Sequence, residues 1–272
     1  MAPDLPRPDA ETDLKPFTGQ HAVVTGGGRG IGAAIAEHLA ARGAALTLIG
    51  RTAAPIEAQK ARLAARYTVP VEAATADVTD AAQVAKAFAQ ATAALGPVQI
   101  LINNAGRGES VPIKRMDLAF LRKMLDINVA STVLCIQQVL PAMTEAGYGR
   151  IVNVASTAGL VGYRYVSAYV ASKHAVVGLT RALALELAKT GITVNAVCPS
   201  YVETDMTRDT LANIVAKTGK SDAEARAELA RFNPQGRLIA PEEVASVVAW
   251  LALPASNSIT GLAIPVAGGE VM

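Results

Sequence analysis

Short runs of mostly apolar, often β-branched residues recur along the chain: HAVVT at 21–25, ALTLI at 45–49, VEAAT at 71–75, VQILI at 98–102, RIVNV at 150–154, ITVNAV at 192–197 and LAIPV at 262–266. Each is too short for a stable helix, and apolar enough to predict a strand buried on both faces. Between them the apolar positions return every three or four residues, as from Ile31 to Arg42 and from Ala81 to Leu95, which predicts helices. Buried strands alternating with helices predict a doubly wound α/β domain: a seven-stranded parallel sheet flanked by helices. No Pro/Ser/Gly-rich linker and no internal repeat interrupts the alternation, so 18–272 reads as one domain. Residues 1–17, proline-rich and without an apolar core, read as a flexible leader rather than a signal peptide.

One stretch breaks the rhythm. About sixty residues separate the strand ending near Val197 from the last strand, far more than a simple crossover needs. They predict two short helices within 203–236, and because the insertion follows the carboxyl end of a strand it is a candidate lid over a ligand. The bland alternative is a solvated helical hairpin.

Composition narrows the partners. Apolar residues make up 51% of the 272 and charged ones 18%, enough to build a large core. The net charge of +2, with basic residues scattered, gives no case for nucleic acid or an acidic membrane, and no apolar run reads as a membrane span. Cys135 and Cys198 sit in apolar surroundings without metal-ligand spacing. They read as buried small hydrophobes in a reducing, cytoplasmic setting.

After the first strand comes TGGGRGIGAAIAEHLA, Thr25 to Ala40. Gly26, Gly30 and Gly32 let backbone approach a pyrophosphate, and the following helix offers unpaired N–H groups and its positive dipole end. A glycine turn alone is weak evidence; one between a first strand and a first helix has the context of a dinucleotide site. The spacing is T-G-x-x-x-G-x-G. NNAG (Asn103 to Gly106), DINV (Asp126 to Val129), NVAS ending at Ser156, YVASK (Tyr169 to Lys173) and NAVCPSYVETDM follow in order. With these six motifs the sequence resembles the short-chain dehydrogenase/reductase family over nearly its whole length after the leader. The resemblance implies a Rossmann-type fold binding NAD(P). It implies that cofactor contacts come from Gly26, Arg29, Gly30, Ile31, Gly32, Arg51, Asp77, Val78, Asn104, Ala105, Gly106, Tyr169, Lys173, Pro199, Val202 and Thr204, with Asp77 at the adenine edge. Ser200 departs from the pattern, since the family usually has glycine after the proline.

The end of the second strand carries the cofactor preference. An acid there would bind a ribose 2′-OH, and a basic residue suits a 2′-phosphate. The sequence has Gly50 in the acidic position, Arg51 next and Arg29 inside the glycine turn, so NADP(H) is favoured over NAD(H).

At the chemical end, hydride transfer to a carbonyl leaves negative charge on oxygen that needs a proton and hydrogen-bond donors. Tyr169 and Lys173 lie at i and i+4 on a helix expected over Ala168–Lys189 with Gly191 as its stop, so an ammonium on the same face could lower the phenol pKa. Ser156, thirteen residues earlier and just past a strand, can donate to the substrate oxygen. By resemblance Tyr169 is the general acid/base, Lys173 lowers its pKa and holds the ribose, Ser156 orients the carbonyl, and Asn128 holds a water linking Lys173 to solvent. His21, His38 and His174 belong to no constellation, and no metal set is expected.

Substrate identity is expected in 106–113, in Leu160 to Arg164 with Tyr163 and Tyr165, and in the lid. The chain resembles 3-oxoacyl-thioester reductases overall and 3-hydroxybutyrate dehydrogenases around the lid. Both point to a 3-oxo/3-hydroxyacyl compound, with Arg107, Lys114 and Arg164 as candidate binders of a carboxylate or thioester phosphates. A cyclic or aromatic secondary alcohol is the alternative. A non-catalytic dinucleotide-binding regulator would have lost part of the Asn/Ser/Tyr/Lys set, which is complete here. By resemblance the assembly is a homotetramer.

Overall fold

In the computed structural model, which describes residues 15–272, seven parallel strands form one sheet in the order β3-β2-β1-β4-β5-β6-β7. The strands are β1 His21–Thr25, β2 Ala45–Gly50, β3 Val71–Thr75, β4 Ile100–Asn103, β5 Gly149–Val154, β6 Ile192–Pro199 and β7 Ala263–Val266. The order reverses between β1 and β4, which opens a crevice at their carboxyl ends, where ligands bind in open α/β sheets. Helices α1 Gly30–Ala41, α2 Ala53–Arg66 and α9 Pro241–Ala252 cover one face. Helices α3 Ala81–Leu95, α5 Ser131–Ala146 and α6 Ser167–Glu186 cover the other.

Adjacent residues within a strand feed opposite faces. Val24, Leu48 and Ile102 pack with Ile35, Leu39 and Val248, while Val23, Ile49 and Leu101 pack with Phe88, Ile136 and Val139. Each such side chain, fully withdrawn from water, stabilises the fold by about 1.5–3 kcal/mol. This two-faced burial is why the strands read as continuous apolar runs. Among the described residues the largest fully buried side chain is a charged one, Arg150 in β5, whose guanidinium donates to the carbonyls of Gly149 at 2.8 Å, Leu253 at 3.2 Å and Gly191 at 3.3 Å.

Three expectations change. The first 14 residues of the expected leader lie outside the described residues, but Phe17 is fully buried and its N–H donates to Arg42 O at 3.0 Å. The packed chain therefore includes Phe17. Helix α6 ends at Glu186, three residues before Lys189, and Gly191 (φ +75°) turns the chain into β6 instead of capping the helix. The third expectation, that no apolar run has membrane-spanning length, changes as well. α4 (Leu118–Leu125), a π turn (Asp126–Ala130) and α5 form a continuous 29-residue helix, long and apolar enough by length and composition alone to cross a bilayer. Its apolar positions Cys135, Ile136, Val139 and Met143 are packed against the sheet, as in the core helix of a globular domain.

The expected insertion forms two helices, α7 Asp205–Thr218 and α8 Asp222–Ala230, closed on their own small core of Leu211, Ala225, Leu229 and Leu238. Ser221 caps α8, and Glu224 reaches back to the Ser221 N–H at 2.8 Å. A bridge between Val202 and Ile239 pins the two ends of this excursion together.

Candidate active site

The glycine turn lies at the carboxyl end of β1, at the crevice. Gly26 N–H donates to Ile49 O at 2.7 Å, and α1 starts at Gly30 (φ +53°). A Cβ at position 32 would sit 2.2 Å from Gly26 O, so only glycine permits this close turn. The NNAG segment is tied to the turn by one hydroxyl: Thr25 Oγ1 accepts from the N–H groups of Asn104 and Ala105, both at 3.0 Å. Asn104 Nδ2 also donates to Thr25 O at 2.9 Å. Thr204, at the entry of α7, packs over Gly30, its Cγ2 3.2 Å from where a Cβ on Gly30 would stand. Ile31 packs into the core beneath the turn, and Val78 and Val202 are buried.

Beyond the carboxyl end of β3, Asp77 Oδ1 accepts from Thr79 N at 3.0 Å and Thr79 Oγ1 at 2.7 Å, which holds its carboxyl below the usual range, with the positive charge of Arg51 adding to the effect. A surface cavity of about 530 Å³ is bordered by Arg51, Asp77, Thr79, Arg122, Lys123 and Asp126. Arg122 and Lys123 carry no motif, and only the fold brings α4 beside Arg51. Arg29 is 73% exposed and lies 3.6 Å from Asp205 at the start of α7.

The chemical end is built from four elements. Lys173 is buried, and its Nζ donates to Val154 O at 2.8 Å, at the end of β5. Its Nζ lies 5.8 Å from the centre of the Tyr169 ring. Asn128 is buried within the π turn, an irregularity that recurs at functional sites. It donates to Arg107 O and Ser172 Oγ and accepts from Arg107 N, each at 3.0 Å. A Cβ on Gly106 would meet Asn128 Oδ1 at 2.8 Å and Lys173 Nζ at 3.5 Å, so these groups converge. Ser156 caps a single 3-10 turn at Thr157–Gly159, its Oγ accepting from Ala158 N at 3.1 Å and donating to Pro199 O at a long 3.4 Å.

The electrostatics differ from the expectation in one respect. The Tyr169 pKa is raised, first by burial, while the Ser156 hydroxyl against the phenol oxygen partly offsets the rise. Burial lowers Lys173 to about 8. Desolvation is thus the largest cause for both groups, pushing the phenol up and the ammonium down. Burial also pushes the Cys135 thiol up to about 12 and Cys198 to about 11, so both stay protonated.

Residues 20–214 match the family model described as short chain dehydrogenase. The chain belongs to the short-chain dehydrogenase family. Among its relatives it is 36% identical over 258 residues to levodione reductase of Leifsonia aquatica, which covers 93% of this chain and 95% of the relative. It is 39% identical to cis-4-hydroxycyclohexanecarboxylate dehydrogenase of Sinomonas cyclohexanicum over 93% of this chain and 97% of the relative. It is 36% identical to D-beta-hydroxybutyrate dehydrogenase of Cupriavidus necator over 94% of this chain and 99% of the relative. A crystal structure of a variant of actinorhodin polyketide ketoreductase with NADPH superimposes with a TM-score of 0.89 at 37% identity, over 92% of this chain and 97% of that one. This short-chain dehydrogenase is thus an oxidoreductase of the NAD(P)-dependent kind.

On its substrate side the candidate residues separate. Tyr163 is half-buried, 6.2 Å edge-on from Phe232 of the lid segment, and Tyr201 lies 5.9 Å from the same ring, giving an aromatic wall. Leu160 packs on Val176 and Ala155 beneath the site. Tyr165 is 65% exposed, in a left-handed backbone conformation (φ +67°), its carbonyl accepting from Val111 N at 2.7 Å. Arg107 is committed to Glu109 at 2.7 Å, which Lys123 also binds at 2.8 Å; all three expected cations are exposed, and Lys114 and Arg164 are the two of them without an ion pair among the described residues. His174 is exposed, its Nδ1 against Val170 O at 3.0 Å. One group has no counterpart in any motif: Glu270, beyond β7, accepts from the hydroxyls of Tyr163 and Ser200. The Ser200 departure from the family pattern was its only trace in the sequence.

Proposed function

We propose that this short-chain dehydrogenase interconverts a secondary alcohol and a ketone on a 3-oxo/3-hydroxyacyl compound, held as a thioester or acid. The observation that carries the reading is the convergence of Tyr169, Lys173, Asn128 and Ser156 at the carboxyl ends of β4 and β5. The residues fit a nicotinamide dinucleotide: the Gly26–Gly32 turn admits no side chain, and the start of α1 points N–H groups at a pyrophosphate. When bound, that cofactor supplies or removes the hydride. Everything else falls to side chains.

Tyr169 Oη gives its proton to the carbonyl oxygen as negative charge develops there, and its raised pKa keeps that proton available at neutral pH. Ser156 holds Pro199 O only loosely, so its hydroxyl is free to donate to the same oxygen. Lys173, mostly ammonium below its pKa of about 8, stabilises the phenolate left behind and would hold the cofactor's ribose. Asn128, locked by three hydrogen bonds, fixes the loop at 106–107 against Lys173 and marks the proton's way out.

NADP(H) is the preferred cofactor in this reading. Arg51, Arg122 and Lys123 border the cavity beside Asp77, and the superimposed ketoreductase carries NADPH. Comparison of kcat/KM with the two cofactors tests it, and a tenfold advantage for NADH refutes it. A second substrate class, a cyclic secondary alcohol, is favoured by the aromatic wall of Tyr163, Tyr201 and Phe232 and by the similarity to two relatives named for cyclic substrates. A panel of 3-oxoacyl thioesters, free 3-oxo acids and cyclic ketones with NADPH separates the two. No turnover of any thioester removes the leading class.

The reading also holds the enzyme to be a cytoplasmic homotetramer. Two buried, unpaired thiols support a reducing compartment, and Leu185 of α6, Trp250 of α9 and Leu262 beside β7 leave apolar surface for subunit packing. Sedimentation equilibrium measures the assembly directly, and a monomer at micromolar concentration removes the tetramer.

A further inference from the structure

The C-terminal segment after β7 makes a turn that only glycine allows. Gly268 (φ +59°) and Gly269 (φ +94°) are both left-handed, and a Cβ on Gly268 would lie 2.0 Å from Oδ1 of the buried Asn233. Asn233 is itself fixed, donating to Arg237 O at 2.9 Å and accepting from Gln235 N at 2.8 Å. This turn delivers Glu270, whose N–H donates to Ala267 O at 3.1 Å, to the mouth of the crevice beside the lid.

Both carboxylate oxygens of Glu270 are engaged. One accepts from Tyr163 Oη, which also lies 2.9 Å from Thr157 Oγ1, and the other accepts from Ser200 Oγ. Thr157 directly follows Ser156, and Ser200 directly follows Pro199, whose carbonyl receives the Ser156 hydroxyl. Of two hydrogen-bonded routes from one carboxylate, one thus ends on the residue after the carbonyl-orienting serine and the other on the residue after that serine's own acceptor, Pro199. The charge is felt further in: Glu270 adds to the burial that raises the Tyr201 pKa, and Tyr201 in turn acts on Tyr169. Among the described residues no lysine, arginine or histidine pairs with Glu270. Hydroxyl donors hold it in place but leave its charge uncompensated.

We infer that Glu270 is a specificity-determining residue that excludes free carboxylates and admits substrates uncharged next to the reacting carbonyl, such as thioesters, esters and neutral ketones. The inference rests on the ketone/alcohol reading above and narrows its substrate class. A substrate carboxylate beside the Ser156 loop would meet a fixed like charge in a partly dry site, which is how specificity is built by repulsion. A thioester or ester carries the same acyl chain without that charge.

The test uses two matched pairs with NADPH: 3-oxobutanoate and its ethyl ester, and 4-oxocyclohexanecarboxylate and its ethyl ester. The wild-type enzyme is expected to prefer the ester at least tenfold in kcat/KM on whichever scaffold it reduces. In Glu270→Gln, which keeps an acceptor and a donor for Tyr163 and Ser200, that ratio is expected to shrink at least fivefold. Equal use of acid and ester by the wild-type enzyme overturns the inference without any variant, and so does a ratio left unchanged by Glu270→Gln. If no ketone of either scaffold is reduced, the functional reading itself fails and takes the inference with it. Reduction of a scaffold with an unchanged ratio sinks the inference alone.

Discussion

Replacing Lys173 by methionine sets activity against stability. The Lys173 ammonium lies 5.8 Å from the Tyr169 ring. At that separation, with an effective dielectric of about 20, it stabilises a phenolate by about 3 kcal/mol, or roughly 100-fold in rate. Folding bears a penalty of similar size. Holding the charged amine where its pKa falls from 10.5 to about 8 destabilises the folded state by about 3 kcal/mol below pH 8. Methionine removes that penalty but orphans the Val154 carbonyl, which costs about 1–3 kcal/mol. Lys173→Met is therefore expected to lose about 100-fold in kcat while melting within a few degrees of the wild type, or above it, at pH 7. The pH dependence carries the signature. Between pH 8 and 10.5 the folded wild type sheds its proton before the unfolded chain does, so its stability rises relative to the variant as pH rises through that window. Single-turnover hydride transfer and calorimetric melts across pH 7–10.5 provide the readouts. Activity within fivefold of wild type, or a destabilisation that is the same at every pH, refutes the assignment.

The other expectations are more local. Tyr169→Phe should lower kcat by roughly 100-fold to 10,000-fold while NADPH binds with unchanged affinity in a fluorescence titration, and retained turnover would mean another group supplies the proton. Gly32→Ala places a methyl 2.2 Å from Gly26 O and should weaken NADPH binding at least tenfold; a wild-type Kd would show that the turn does not seat the pyrophosphate. His21, buried between Gly96 O and Thr47 Oγ1 at 2.9 Å each, has its pKa lowered mainly by burial. Below pH 6.5 the unfolded chain takes up that proton first, so the melting temperature should fall with acid, and fall less steeply in His21→Gln. Identical slopes from pH 7.5 to 5 would remove His21 as the cause.

Most of the sheet was legible because strands buried on both faces must be apolar throughout, and β1 and β3 keep the bounds that their apolar runs mark. Where the ends differ, residues outside the β-branched pattern carry the sheet on: polar Asn103 in β4 and the Cys198–Pro199 pair in β6 extend strands beyond the runs that mark them. The Gly26–Gly32 turn and the Tyr169–Lys173 pair were readable because both depend on short, fixed spacings along one element. Glu270, Arg122 and Lys123 were not, since each reaches the site from a distant part of the chain with no local spacing to mark it. The phenol pKa was misjudged for a related reason. A sequence shows that an ammonium lies four residues away, but not that burial desolvates both groups and dominates the balance. Phe17 sat in a proline-rich stretch whose composition hid one buried anchor.

The π turn at Asp126–Ala130 means that the aim of Asn128 is set by counting residues rather than by any side chain. A π turn holds one residue more than the α-helix it interrupts. Deleting any one residue from it would let α4 and α5 join as an uninterrupted α-helix with better hydrogen bonds and little change in their relative phase, so the displacement would fall on the residues of the turn itself. The packing of Cys135, Ile136 and Val139 on the sheet would then hold α5 in place and force the error onto Asn128. Substitutions across this segment that spare Asn128 should consequently be far better tolerated than a single deletion, making the number of residues in the turn, rather than their identity, what aims Asn128.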